Sequence, residues 1–183
     1  MAQPPERLLK TIRCIDTFSE WSGKVFAWLI LPLVFSLTYE VIARYVFNAP
    51  TMWAFDMTYM LYGTLFMLGA GYTLLKQGHI RTDIFYDKWT PRRQGWVDAV
   101  SYLLFFFPGM ILFFLASWDS ALHSVSIREA SDASPWHPPV YPFKMVVPVT
   151  ALLLMIQGVS ELLKSLYAAL TGTALAKRET IEI

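Results

Sequence analysis

Glu40 and Arg44 sit four residues apart in a stretch otherwise almost free of charge, with the acid on the N-terminal side. On a helix that order brings the two side chains together and favours an ion pair. Asn48-Ala49-Pro50-Thr51 follows as a tight turn, with Thr51 suited to cap the next helix and Asp56 in that helix's second turn. An antiparallel hairpin on this turn would bring Arg44 within reach of Asp56, with Asn48 and Trp53 fixing the same corner. Charges at membrane depth are costly and usually paired, so Glu40, Arg44 and Asp56 are expected to form one network. A clamp holding the hairpin is the simpler role for it, and coordination of an ion or substrate the sharper one.

A second constellation is Gly78-His79-Ile80-Arg81-Thr82-Asp83. If helical, His79 and Asp83 share a face and can hydrogen-bond, either as a capped helix terminus or as a proton relay. Asp119 and His123 repeat the spacing and read as a solvated helix end. Haem held between membrane helices needs histidines inside the bundle at matching depth. His79, His123 and His137 all fall outside the apolar runs, so no cofactor is expected. Metal-ligand spacing, a Gly-rich phosphate loop and a nucleophile motif are all lacking, which argues against an enzyme. Within the runs, Glu40 is the acid expected to lie more than one turn deep.

Four apolar runs must position these groups, at about Val25–Phe47, Met52–Leu75, Val97–Trp118 and Phe143–Leu166. At about 1.5 Å per residue each can cross a hydrocarbon core about 30 Å thick. The chain has 183 residues, 55% of them hydrophobic and only 16% charged, which leaves no room for a separate soluble domain. Net charge is +1, which gives no reason to expect a nucleic-acid partner, and Cys14 is the single cysteine, which excludes an internal disulfide. The expected fold is an all-α membrane protein of one domain with four transmembrane helices. A helix within residues 1–22 precedes them, with a face of Leu8, Ile12, Ile15, Phe18 and Ser22, and reads either as an interfacial amphipathic helix or as a frayed cytoplasmic extension of the first span. The first apolar run is too long for a signal-peptide core and reads as an uncleaved span. Pro32 predicts a kink in the first span, and Pro108-Gly109 a bend in the third. Gly63, Gly69 and Gly71 remove bulk from the second span so that another helix can approach closely. The stretch from Ser134 to Pro142, rich in proline, is expected to be extended. Arginine and lysine gather before the first span, between the second and third, and after the fourth in the tail at about 169–183. Both termini are therefore expected in the cytoplasm.

The run from Arg44 to Asp83 carries a resemblance. Arg44-Tyr45-Val46-Phe47-Asn48, then Trp53 with an acid three residues on, then a Gly-rich span closed by Gly78-His79-Ile80-Arg81-Thr82-Asp83, resembles the small integral-membrane subunit of tripartite ATP-independent periplasmic (TRAP) transporters. That family commonly has consecutive acids after the tryptophan, where this chain has Phe55 and Asp56. The resemblance implies an accessory scaffold in the bacterial inner membrane. It would brace a large multi-span permease subunit that holds the substrate and sodium sites, with a periplasmic solute-binding protein delivering a small organic acid. Membrane lipid would be the other partner. On the residues alone, two readings stay open beside it: the membrane anchor of an electron-transfer complex, and an autonomous small transporter acting as a homo-oligomer.

Overall fold

The computed structural model describes residues 4–77, 86, 88–173 and 175. His79 and Asp83 lie outside the described residues. Among the described residues, six α-helical stretches join into four rods. The first rod is α1 (Glu6–Ala27) and α2 (Ile30–Tyr45), the second α3 (Ala54–Leu75). The third is α4 (Pro91–Ser101), a π-helical segment (Tyr102–Phe106) and α5 (Phe107–Ser126), and the fourth is α6 (Tyr141–Thr171). Among the described residues, the first, third and fourth rods are long and apolar enough to cross a membrane. The second rod owes its lower hydropathy to Asp56, Tyr59, Tyr62, Tyr72 and its glycines and threonines.

Pro32 and Pro108 set where two of the rods are interrupted, one turn ahead of themselves, whereas Pro148 lies inside the unbroken α6. Pro32 has no N–H to give the Trp28 carbonyl, which instead accepts from Leu31 N–H at 3.1 Å, and the chain breaks helix at Trp28–Leu29. Pro108 likewise leaves the Leu104 carbonyl without its partner. The ladder widens upstream, with Phe107 N–H reaching the Tyr102 carbonyl five residues back. The distortion expected at Pro108-Gly109 is therefore a π-segment at Tyr102–Phe106.

The α6 rod is the hub, packing against α1, α3, α4 and α5. Its buried face is small and polar, including Thr150, Ala151, Gln157, Gly158, Ser160, Ser165 and Ala169. Small residues let helix backbones meet where lipid gives no hydrophobic drive to associate. At Gly95 the approach is closest: a Cβ there would stand 2.5 Å from the Ala169 nitrogen and 2.6 Å from the Ser165 carbonyl oxygen. The rod ends at Gly172, whose φ of +74° suits a left-handed cap.

Two expectations about local structure need correction. The buried residues of α1 are Ile12, Ser19, Ser22 and Gly23, while Phe18 is exposed. The inward face is thus rotated from the apolar stripe toward its small residues, because Gly23 lies directly against the Tyr72 side chain of α3. The stretch from Ser134 to Pro142 is not extended throughout. Ala130 bridges Pro139, Ser131 N–H donates to the Pro138 carbonyl at 2.8 Å, and Val140 N–H donates to the Glu129 carbonyl at 2.9 Å. The chain turns at Ser134–His137, and Tyr141 and Pro142 already belong to α6, since proline is well suited to a helix's first turn.

Candidate functional site

Polar groups gather at two ends of the bundle. At the α2–α3 corner, Glu40 is the organiser. One carboxylate oxygen accepts from Arg44 Nε at 2.9 Å, as the one-turn spacing dictates. The other accepts the Thr51 backbone N–H at 3.0 Å and the Thr51 hydroxyl. Thr51 therefore does not cap the next helix; α3 starts from Trp53 without a side-chain cap. Asn48 takes a left-handed φ of 50°, and Ala49 N–H closes back on the Ala43 carbonyl at 2.9 Å. Trp53 packs on Tyr39 with ring centroids 5.6 Å apart.

Asp56 does not join Arg44. It is buried, at 2% exposure, and its carboxylate accepts the hydroxyls of Ser131, at 2.8 Å, and Ser134. Those serines in turn accept the Ala133 and Trp136 backbone N–H groups. The acid thus ties the loop between α5 and α6 onto the start of α3. The expected three-residue network divides in two: Glu40–Arg44–Thr51 within the hairpin, and Asp56–Ser131–Ser134 across it. Phe55, by contrast, is exposed. A further tie closes the loop, because the Lys144 ammonium lies 2.6 Å from the Glu129 carboxylate. The ammonium holds the Glu129 carboxyl below its ordinary value.

Of the three glycines, Gly63 meets the Phe143 ring and Gly71 touches Leu153, both on α6. They serve packing inside the chain and not an outer face. Gly69 faces open space.

The other end holds a cluster that the sequence reading missed. Asp16 of α1 faces Gln157, Ser160, Glu161 and Lys164 of α6. Its carboxylate accepts Ser160 Oγ at 2.6 Å and Gln157 Nε2 at 3.1 Å, and it pairs with Lys164 Nζ at 2.8 Å. Lys164 also pairs with Glu161 at 2.8 Å, and Gln157 Nε2 reaches Glu161 at 3.2 Å. Glu161 is buried at 4% exposure, so Glu40 is not the only acid more than a turn inside a span. Residues 157, 160, 161 and 164 share one helical face, and that spacing was the available signal. Among the described residues no three His, Cys, Asp or Glu side chains are grouped as metal ligands.

Residues 33–167 match the family model for tripartite ATP-independent periplasmic transporters, DctQ component. The chain belongs to the DctQ family. Comparison with curated proteins finds no match. As a DctQ component it is a multi-pass membrane protein of a TRAP transporter and not an enzyme. The family region takes in the Glu40 corner, the Asp56 tie and the α6 side of the Asp16 cluster. It leaves out α1, and with it Asp16.

Proposed function

We propose that this DctQ chain is a stationary four-span scaffold in the bacterial inner membrane, with both termini in the cytoplasm and α3 as the second span. It braces the large permease subunit during sodium-gradient-driven uptake of a small organic acid delivered by a periplasmic binding protein. The observation that carries this reading is the division of the surface. Glu40, Asp56 and Glu161 are each bonded to neighbours in the same chain. The outward surfaces of α2 and α5 present Leu31, Val34, Phe35, Leu112, Phe113 and Leu115. Such surface suits lipid and a partner's helices, and gives an anion no polar path.

Co-purification tests the role. The tagged chain, gently solubilised, is expected to bring down a much larger polytopic subunit, and reconstituted alone it is expected to give no uptake. Uptake by this chain alone would overturn the proposal. Cys14, exposed and unique, reports the orientation. A membrane-impermeant thiol reagent should label it in inverted vesicles and not in intact spheroplasts.

A further inference from the structure

Two cavities follow one another along the seam between α1 and α3. The first, about 440 Å³, is lined by Leu9, Ile12, Arg13, Asp16, Lys76 and Lys164 among others. The second, about 250 Å³ and mostly apolar, is lined by Gly23, Phe26, Ala27, Leu65, Gly69 and Tyr72. Two contacts join them: Lys76 Nζ stands 5.8 Å from the Tyr72 ring centroid, and Glu20 of the first cavity pairs at 2.9 Å with Lys24 of the second.

Charge in the first cavity is unevenly satisfied. Asp16 and Lys164 hold each other, and Glu20 is held by Lys24. Arg13 and Lys76 line the same cavity, are exposed, and have no ion pair among the described residues. Two cations without an ion pair among the described residues, in a cavity that neighbours an apolar groove, match one kind of molecule: a negative headgroup carrying a hydrocarbon tail. Gly69 keeps the groove open, since nothing lies within 4 Å of where its Cβ would be.

We propose that the α1–α3 seam binds one anionic glycerophospholipid, its phosphate held by Arg13 and Lys76 and an acyl chain lying in the groove beside Gly69. The site rests on the proposed placement of α1 at the inner membrane boundary, where such headgroups lie. The lipid fills the space between α1 and α3 that their own side chains leave open, and so fastens α1 to α3 next to the Asp16–Lys164 pair that ties it to α6.

The test is native mass spectrometry of the full-length chain released from nanodiscs, with dioleoyl phosphatidylglycerol as the probe. One bound lipid should survive activation, and phosphatidylcholine with the same chains should be held less well. Arg13→Ala with Lys76→Ala should weaken phosphatidylglycerol roughly thirtyfold, taking about fivefold for each cation near an anionic surface. Gly69→Leu extends into the groove from a position where a Cβ meets nothing within 4 Å, and should also displace the lipid, although it leaves both cations in place. Equal retention of phosphatidylcholine, or full retention of phosphatidylglycerol by either variant, would overturn the site. Displacement by glycerol phosphate, with Gly69→Leu silent, would show a soluble-anion site and overturn it too. The lipid measurement needs no partner subunit, whereas the scaffold role is read by co-purification, so either can fail alone.

Discussion

Replacing Lys164 should loosen α1 far more than replacing Asp16, although the two form one ion pair. The cluster holds two acids and one ammonium: Lys164 Nζ lies 2.8 Å from both the Asp16 and Glu161 carboxylates. Lys164→Met leaves two carboxylates facing the same Gln157 amide, with Lys164 and Glu161 originally at 13% and 5% side-chain exposure. Removing one partner of a buried pair costs about 3–5 kcal/mol. Asp16→Asn keeps an acceptor for Ser160 and leaves Lys164 balanced by Glu161, so its cost is the loss of charge assistance, about 1–2 kcal/mol. Hydrogen exchange along α1 in nanodiscs converts these to rates, at tenfold per about 1.4 kcal/mol. Exchange in α1 should therefore quicken by about two to three powers of ten in Lys164→Met, up to free opening of the helix. In Asp16→Asn it should quicken by roughly ten. Adding Glu161→Gln to Lys164→Met should recover part of the loss, because it removes one of the two opposed charges. Equal effects of the single variants, or no recovery in the double, would show that these groups are solvated and that packing alone docks α1.

Other outcomes follow from the corner and the helix contacts. Asp56→Ala should free the loop from Glu129 to His137, raising its exchange by the loss of two hydrogen bonds to a charge, about 1.5 kcal/mol each. A double-mutant cycle should give Arg44 and Asp56 a coupling below about 0.5 kcal/mol, because they share no partner. Native Glu129 titrates below its ordinary value of 4.5, so the tie to Lys144 contributes fully above 4.5 and is lost as the pH falls through the lowered native value. Loop exchange corrected for its intrinsic rate should thus rise as the pH falls through that range, and Glu129→Gln should reduce that rise. Gly95→Ala places a Cβ against α6 backbone that cannot rotate away, and should destabilise the detergent-solubilised chain by about 1–3 kcal/mol. Gly109→Ala meets nothing within 4 Å and should be neutral or stabilising by up to about 1 kcal/mol.

Much of this protein was legible in the order of its residues. Runs of apolar side chains without charge specify helices that must satisfy their own backbone groups in lipid. Pro32 and Pro108 mark interruptions, because a missing N–H frees a carbonyl four residues back, although Pro148 is accommodated within unbroken helix. Glu40 and Arg44 meet because helix geometry alone brings together residues one turn apart. The motif from Arg44 to Asp83 pointed to the family by its ordered combination.

Only the tertiary structure decided which distant groups answer the buried acids. Ser131 and Ser134 are 75 and 78 positions from Asp56, and Asp16 is 148 from Lys164, so no local spacing marks them as partners. The assumption that Arg44 serves Asp56 used hairpin proximity, but Glu40 already occupies the guanidinium and the loop hydroxyls arrive from the other side. Which glycines meet a helix was equally open: Gly63 and Gly71 face α6 while Gly69 does not, a matter of how α3 is rotated against its neighbour. Local geometry is set by covalent structure, whereas the pairing of a buried charge is set by whichever donor the whole bundle brings to it.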